Sequence, residues 1–256
     1  MSERSFEARD RLDGEVAVIT GGTGAIGSAT ALRLARLGAR VVLIHRGTAD
    51  DAQPLLSRLN GDGHLVITAS VTDSGSLAAA AQRVRAEAGN ARVLVNCAGF
   101  TKPVPARDLD ALTDELIDDI FAANWRGTFA AIRAFAPQME AAGDSLIVNV
   151  SSIAAFTGLG SNLAYAAAKA GIDALTKALA KTLAPRIRVM AVSPGVVDTS
   201  FVPGRGADFN QKVGATIPLQ RVGTADDVAS AIVACCTALR YATGSVIVAD
   251  GGRHLG

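Results

Sequence analysis

Cysteine and histidine are scarce in this sequence. Its three cysteines, Cys97, Cys235 and Cys236, are odd in number and show no CxxC spacing, which disfavours a disulfide framework and a zinc site. Its three histidines are scattered, without the spacing of metal ligands. We therefore interpret the cysteines as core thiols in a reducing compartment and predict that the protein binds no metal.

The sequence also lacks a dominant charge and a long apolar segment. Its 25 basic and 24 acidic residues leave a net charge of +1, and the basic residues are dispersed, so no electrostatic footprint for nucleic acid is present. Nowhere do about eighteen apolar residues follow one another, and the charged start of the sequence lacks the apolar core of a secretion signal. We expect a soluble, cytoplasmic protein that binds neither nucleic acid nor membranes.

Short apolar runs alternate with longer segments rich in Ala and Leu, whereas aromatic residues make up only 4% of the 256 residues. Runs that are apolar on both faces are typical of buried parallel strands. The predicted strands are Val16–Thr20, Val41–His45, Leu65–Thr68, Val93–Asn96, Leu146–Ser151, Ile187–Val192 and Val246–Ala249. The predicted helices are Ile26–Leu37, Leu55–Leu59, Leu77–Ala88, Asp114–Met139, Leu163–Leu183 and Asp226–Leu239. The alternation predicts an α/β fold, a single Rossmann-type doubly wound domain over residues 1–256, with helices on both faces of a seven-stranded parallel sheet.

Glycine, proline and capping residues mark several helix ends. Gly38 follows the first helix where a left-handed residue would end it, and the Asn-Gly pair at 60–61 is predicted to end the second. The segment at 224–227 has capping-box spacing, which predicts the start of the last helix. Pro137 predicts a kink or a frayed last turn, and residues 194–218, rich in Gly and Pro, are predicted to form a mobile loop.

A glycine-rich turn at residues 20–27, TGGTGAIG, joins the first predicted strand to the first predicted helix. At this place in doubly wound folds a dinucleotide pyrophosphate meets a helix N-terminus, and glycines let the backbone approach it. Glycines also close ordinary tight turns, so the position between strand and helix is what favours a nucleotide. The candidate phosphate-binding residues are Gly21, Thr23, Gly24, Ala25, Ile26 and Gly27.

The second predicted strand ends in His45 and is followed by Arg46. At this strand end an acidic residue binds the ribose 2′-hydroxyl of NAD, whereas an arginine accommodates the 2′-phosphate of NADP. A carboxylate is absent here and a cation is present, which favours NADP over NAD. The alternative is that Arg46 is simply a solvated residue at a strand end.

Tyr165 and Lys169 are four residues apart in a predicted helix, so their side chains share one face. Tyrosine is a poor base with an ordinary pKa of about 10. A nearby ammonium group lowers that pKa, which makes proton exchange with a substrate oxygen feasible. Taken alone, such a pair on a helix is usually a surface pair.

Two further polar residues turn this pair into a candidate active site. Ser152 follows the fifth predicted strand, at the carboxyl edge where open α/β sheets bind ligands, and could hold a substrate carbonyl oxygen. Its neighbour Ser151 is the competing candidate. Asn124, on the long predicted helix before that strand, could join through its amide by binding backbone or water.

With these motifs in this order, the chain resembles the short-chain dehydrogenase/reductase family over nearly its full length. The motifs are TGGTGAIG at 20–27, NCAG at 96–99, NWRG at 124–127, Ser152 with YAAAK at 165–169, SPGVVDT at 193–199 and ATGSVIVADGG at 242–252. The resemblance implies hydride transfer between a nicotinamide cofactor and a ketone or secondary alcohol. It also implies a catalytic tetrad of Asn124, Ser152, Tyr165 and Lys169.

Within that tetrad, the resemblance implies that Ser152 orients the carbonyl and Tyr165 acts as the acid/base. Lys169 would also bind the nicotinamide ribose, and Asn124 would hold a proton-relay water. The nicotinamide pocket would be shaped by Pro194, Gly195, Val197 and Thr199. The adenosine side would be contacted by Ser70, Val71, Asn96, Ala98 and Gly99.

Three residues depart from the family pattern. Ala25 replaces the usual middle glycine of the phosphate turn, and Cys97 replaces the common second asparagine of the motif at 96–99. Ser70 stands where an acidic residue is common, which weakens one expected adenine contact. These departures bear on cofactor affinity more than on reaction type.

The substrate is left open between that of a 3-oxoacyl-carrier-protein reductase and that of an NAD-dependent alcohol or sugar dehydrogenase. A non-catalytic nucleotide-sensing protein is a third alternative, which the presence of Tyr165 and Lys169 disfavours. The resemblance implies a substrate lid at 200–220, in which the candidate contacts are Phe201, Arg205, Phe209 and Lys212. It also implies a homo-oligomer, a dimer or a tetramer, packed through helices such as 124–135 and 163–183.

Overall fold

Seven parallel strands form one sheet in the computed structural model, which describes residues 10–204 and 207–256. The strands are β1 (Val16–Thr20), β2 (Arg40–His45), β3 (Leu65–Thr68), β4 (Ala91–Asn96), β5 (Ser145–Val150), β6 (Ile187–Pro194) and β7 (Val246–Ala249). Their order across the sheet is β3-β2-β1-β4-β5-β6-β7. The predicted doubly wound parallel sheet is confirmed.

Helices cover both faces of this sheet. The helices are α1 (Ala25–Arg36), α2 (Ala49–Leu56), α3 (Ser74–Glu87), α4 (Asp114–Phe121), α5 (Gly127–Ala142), α6 (Ala154–Thr157), α7 (Leu163–Leu183), α8 (Ala207–Gly214) and α9 (Ala225–Thr237). One core cluster joins the sheet to α1, α2 and α9, and the other joins it to α3, α5 and α7. Because both faces are covered, β1, β4 and β5 are almost entirely buried, which explains their near-continuous apolar sequences.

Helix α2 differs from its prediction, which placed it at Leu55–Leu59. It begins six residues earlier because Thr48 and Asp51 form a capping box, a signal that the apolar pattern did not carry. It ends at Leu56, so the Asn-Gly pair at 60–61 lies in the following turn rather than at the helix end. The capping box predicted at Thr224 and the left-handed Gly38 are both confirmed.

The predicted long helix Asp114–Met139 is interrupted. Residues Ala122–Arg126 form a π-helical turn between α4 and α5. Single π-turns of this kind occur inside α-helices, frequently at functional sites, and Asn124 lies within this one. Pro137 does not end the helix, since α5 continues to Ala142.

The Gly- and Pro-rich segment at 194–218, predicted as a loop, contains helix α8. Two strand ends also differ slightly from the prediction, since β5 stops before Ser151 and β6 extends to Pro194. These shifts do not change which residues reach the carboxyl edge. At that edge β1 and β4 are neighbours although the chain continues from them in opposite directions, which creates the crevice where such sheets bind ligands.

Candidate active site

A cavity of about 850 Å³ lies at the carboxyl edge of the sheet. Its walls come from the glycine turn before α1, the ends of β4, β5 and β6, the first turns of α7 and the residues after β7. A volume of this size is in the range of small-molecule and cofactor sites. It gathers most of the residues that were predicted to react or to bind a cofactor.

The glycine turn can be built only from glycine at two positions. Gly21 has φ +63°, and a Cβ there would lie 2.9 Å from the Cα of Ala98. A Cβ on Gly27 would lie 2.3 Å from the carbonyl oxygen of Gly21. These close contacts bring α1 against the ends of β1 and β4 and leave its N-terminus facing the cavity.

The N-terminus of α1 suits an anionic ligand. No side chain among the described residues caps it, and its first turn contains no acidic residue. The first backbone N–H groups of a helix lack intrahelical partners and carry the positive end of the helix dipole. Gly24, Ala25, Ile26 and Gly27 line the cavity at this point, so the turn fits a pyrophosphate.

Tyr165 lies in the first turn of α7, where the side chain of Asn162 caps the helix by accepting a hydrogen bond from the Tyr165 N–H at 2.7 Å. The cap fixes the backbone at the cavity wall. The Nζ atom of Lys169 lies 5.7 Å from the centre of the Tyr165 ring, as expected for two residues one helical turn apart. On the other side the ring of Phe201 lies with its centre 6.1 Å away.

Lys169 is 5% exposed and donates a hydrogen bond from Nζ to the carbonyl oxygen of Val150 at 2.8 Å. Its burial lowers the pKa of the ammonium group to about 8, although the nearby groups Cys97 and Asp173 oppose that shift. A lysine with this pKa carries its charge at neutral pH and loses it in mildly alkaline solution.

The two candidate serines, Ser151 and Ser152, differ in their hydrogen bonds. The Ser151 hydroxyl is buried and donates to the carbonyl oxygen of Lys169 at 3.3 Å. Ser152 is half-buried, and its Oγ accepts from the N–H of Ala154 at 3.2 Å, which leaves the hydroxyl proton for another partner. Both residues line the cavity, and Ser152 is the one whose proton is available to a ligand.

Asn124 is fully buried and is not one of the residues that line the cavity. Its side-chain amide donates to the carbonyl oxygens of Phe100 at 2.7 Å and Ile120 at 2.9 Å. The Oδ1 atom lies against Gly99 and has no hydrogen-bond partner in the described part of the chain. The side chain therefore ties the segment after β4 to the π-turn and keeps one unsatisfied acceptor.

The other predicted site residues divide into two groups. The cavity is lined by Gly21, Gly24, Ala25, Ile26, Gly27, Gly99, Ser152, Tyr165, Lys169, Pro194, Gly195, Val197 and Thr199. Of the described residues, those predicted for the site that do not line it are Thr23, His45, Arg46, Ser70, Val71, Asn96, Ala98 and Asn124. Asn96 instead donates to Asn149 on β5 at 2.9 Å, which makes it a support of the sheet.

In the predicted lid, Phe201 and Phe209 line the cavity, whereas Lys212 does not. Arg205 lies outside the described residues. Sequence reasoning missed several cavity residues, among them Phe156, Leu159, Arg253 and His254. The last two follow β7, and the rule that ligands bind beyond the carboxyl ends of strands could have found them.

Cys97 packs against the core and also lines the cavity, whereas Cys235 and Cys236 are buried as predicted. Burial raises the pKa of the Cys97 thiol to about 12. Among the described residues no cluster of His, Cys, Asp or Glu could hold a metal ion. In the same residues no helix has the length and apolar content needed to cross a membrane.

Comparison with known proteins gives full-length matches. A family model described as enoyl-(acyl carrier protein) reductase matches residues 22–254. The chain is 35% identical over 250 residues to ketoacyl reductase 2 of the granaticin polyketide synthase of Streptomyces violaceoruber, covering 97% of this chain and 99% of the relative. It is 38% identical over 242 residues to the cis-4-hydroxycyclohexanecarboxylate dehydrogenase of Sinomonas cyclohexanicum, covering 93% and 95%. A solved short-chain dehydrogenase/reductase from Burkholderia xenovorans superposes with a TM-score of 0.88 at 32% identity, covering 94% and 98%.

Proposed function

Because the chain belongs to the short-chain dehydrogenase/reductase family, we propose that it interconverts a ketone and a secondary alcohol with Tyr165 as the proton-transferring residue and NADP as the preferred cofactor. Members of the family are oxidoreductases that act on alcohols and ketones with a nicotinamide cofactor. The observation that carries the proposal is the placement of Tyr165, Lys169 and Ser152 on one cavity together with the uncapped N-terminus of α1.

The residues present fit a dinucleotide. The backbone of residues 24–27 would hold the pyrophosphate, and Gly21 and Gly27 allow the close backbone packing that places this turn at the strand ends. Residues after β6, among them Pro194 and Thr199, would shape the nicotinamide end of the site. When bound, the nicotinamide supplies the hydride in reduction and accepts it in oxidation.

Two side chains then act on the substrate oxygen. The Ser152 hydroxyl donates a hydrogen bond to the carbonyl oxygen and holds it toward the Tyr165 hydroxyl. Tyr165 gives its proton to the oxygen as negative charge develops there, and takes it back in the oxidative direction. Both steps need a tyrosine whose phenolate form is accessible near neutral pH.

Lys169 provides that condition. Its ammonium group is buried and close to the Tyr165 ring, so the surrounding protein screens its field less than water would. A positive charge at this place favours the phenolate over the phenol. We propose that Lys169 acts in this way and also holds the nicotinamide ribose.

Asn124 is proposed as a positioning residue. Its amide fixes the π-turn to the segment after β4, and its unsatisfied Oδ1 is an acceptor for the proton-relay water that the family pattern implies. The described parts of the segment at 200–220 are proposed as a substrate lid, since Phe201 and Phe209 reach the cavity from it.

The preference for NADP rests on the end of β2. Arg46 is exposed there, and the Nε2 atom of the buried His45 has no hydrogen-bond partner in the described residues. An exposed arginine at this strand end suits a phosphorylated ribose better than the hydroxyl pair of NAD. NAD-linked oxidation of an alcohol is the second candidate, because one similar relative is named as a cis-4-hydroxycyclohexanecarboxylate dehydrogenase.

A homo-oligomer is proposed from the family, and the exposed apolar side chains of Phe121 and Leu163 support packing through α4 and α7. Light scattering after gel filtration measures the mass of the assembly. We also propose a cytoplasmic location, which fractionation of the producing cell tests.

The function is tested by following NADPH and NADH consumption with neutral ketones such as cyclohexanone, with acetoacetyl-CoA and with sugars. Crotonyl-CoA serves as a control for enoyl reduction. The proposal expects carbonyl-dependent oxidation of NADPH, faster than that of NADH at low cofactor concentration. A protein whose melting temperature rises with NADPH but which turns over none of these carbonyls is a nucleotide sensor, and that result would contradict the proposal.

A further inference from the structure

The wall of the cavity beyond Ser152 and Tyr165 is apolar. Phe156, Leu159 and Phe201 line it and are 49%, 76% and 40% exposed. Exposed apolar side chains that are grouped on one cavity often mark a binding site. A substrate bound at this end of the cavity would contact hydrocarbon side chains.

Two basic residues interrupt this apolar wall. Arg253 and His254 form a short 3₁₀ turn with Leu255 just after β7, and both line the cavity. Apart from them, Lys169 is the one charged side chain that lines it in residues 10–204 and 207–256, and no acidic side chain of those residues does so. At the substrate end of the cavity, the described residues thus place the guanidinium of Arg253 on a wall that has no acidic side chain.

Arg253 forms no ion pair within the described chain. Its partner there is the neutral hydroxyl of Thr216, to which Nη1 donates at 2.6 Å. An arginine has five N–H donors arranged in a planar fork, and this fork matches the two oxygens of a carboxylate. Most of those donors are left for a ligand.

His254 is held in a fixed orientation beside Arg253. Its Nδ1 atom lies 2.7 Å from Oδ2 of Asp250, a carboxylate that also accepts the backbone N–H groups of Gly252 and His254. The ring meets the face of Phe156 edge-on, with the ring centres 5.7 Å apart. Since Nδ1 is bound to Asp250, Nε2 is the ring nitrogen that remains for a ligand in the cavity.

We propose that Arg253 and His254 form a carboxylate subsite, and that the substrate is an apolar ketone or secondary alcohol bearing a carboxylate at the end remote from the reacting carbon. The inference rests on the proposed function, because it takes Tyr165 to act on the other end of the same molecule. A singly charged carboxylate fits better than a phosphate dianion, since Arg253 is the one arginine or lysine of the described residues at this end of the cavity and the carboxylate of Asp250 already binds Nδ1 of His254.

The experiment compares each acid with its neutral derivative. A series of methyl-ketone carboxylates of increasing chain length, beginning with levulinate, is assayed with NADPH, and each is matched with its own methyl ester. The readout is the ratio of kcat/KM for acid and ester within one protein. Because turnover of neutral ketones such as cyclohexanone tests the proposed function separately, failure of the two ideas is distinguishable.

In the wild-type protein at least one acid is expected to exceed its ester in kcat/KM by about tenfold or more, the size of a charge-assisted hydrogen bond. Arg253→Met keeps the apolar stem of the side chain and is expected to abolish that preference, while Arg253→Lys retains part of it. His254→Asn, which keeps the hydrogen bond to Asp250, is expected to reduce it several-fold. Arg85→Met, at an exposed arginine on α3, is the matched control and retains the full preference.

Three results would overturn the inference. The first is equal turnover of acids and esters by a protein that reduces cyclohexanone. The second is an acid preference that survives Arg253→Met as well as it survives Arg85→Met. The third is a fall in kcat/KM on Arg253→Met that occurs with acetoacetyl-CoA alone, because the arginine would then bind the phosphate of a thioester carrier.

Discussion

The Nζ atom of Lys169 lies 2.8 Å from the carbonyl oxygen of Val150, the last residue of β5. This hydrogen bond holds a buried ammonium group at the point where the central sheet meets the first turns of α7. The same contact fixes the charge near Tyr165 and imposes a cost, because a buried ammonium has lost most of its hydration. In the proposed mechanism, Lys169 therefore serves chemistry at the expense of stability.

The cost of burying this ammonium group predicts that the effect of Lys169→Met on the free energy of unfolding depends on pH. The pKa of Lys169 is about 8 in the folded protein and 10.5 ordinarily. Between these values the unfolded chain binds more protons than the folded one, so the stability contributed by this group is present above 10.5 and is lost as the pH falls through about 8. Relative to Lys169→Met, the wild-type protein should gain up to about 3 kcal/mol between neutral pH and pH 10.5. Urea denaturation of both proteins across this range measures the gain, and a constant difference would contradict the assignment.

Gly27→Ala should damage the phosphate turn. The added Cβ would fall 2.3 Å from the carbonyl oxygen of Gly21, so the backbone must move, at a cost of about 1–3 kcal/mol. NADPH affinity should fall with it, which fluorescence titration measures. Gly75→Ala in the first turn of α3, where the nearest atom is a flexible side-chain oxygen at 3.3 Å, is the control. Unchanged NADPH affinity in Gly27→Ala would show that the turn does not hold the pyrophosphate.

We expect Ser152→Ala to lower kcat, whereas we expect Ser151→Ala to lower stability. Loss of the Ser152 hydroxyl removes a donor to the carbonyl oxygen, and kcat is expected to fall about a hundredfold. Loss of the buried Ser151 hydroxyl breaks its bond to the Lys169 carbonyl and should appear mainly as lower stability, by about 1 kcal/mol. Steady-state kinetics and thermal melts of both variants test this division. The reverse pattern would assign the carbonyl contact to Ser151.

Arg46→Leu should change the cofactor preference. If the exposed guanidinium meets the 2′-phosphate, the ratio of kcat/KM for NADPH to that for NADH should fall about tenfold or more, as for the loss of a charge-assisted hydrogen bond. Arg85→Leu should keep the wild-type ratio. A ratio that is the same in both variants would leave Arg46 as a solvated residue at a strand end.

The fold could be predicted from the sequence because parallel strands buried on both faces need continuous apolar runs. The segments Val41–His45 and Leu146–Val150 show this pattern. The interruption at Ala122–Arg126 could not be predicted in this way. A π-turn keeps the apolar composition of a helix, and the hydrogen bond of Asn124 within it to Phe100 on another segment is a tertiary contact that periodicity does not report. The early start of α2 depended on the polar pair Thr48 and Asp51, which apolar periodicity ignores.

The site divides in a similar way. Tyr165, Lys169 and Ser152 could be brought together from sequence because a fixed helical spacing and a strand end constrain them. Arg253 and His254 were missed although they follow a strand end, because no motif marks them and their place on the cavity wall depends on the course of the chain after β7. Asn124 was identified, but its burial and the use of its amide as a tie between segments are visible only in three dimensions.

The most direct test of the account is Tyr165→Phe, which removes one oxygen and leaves the ring against Phe201. Carbonyl-dependent NADPH consumption with the best substrate should fall by at least about a hundredfold, the lower end of what general acid/base catalysis supplies. NADPH binding, followed by fluorescence and by its effect on the melting temperature, should be retained. Turnover within a few-fold of the wild-type rate would contradict the assignment of Tyr165 as the proton-transferring residue.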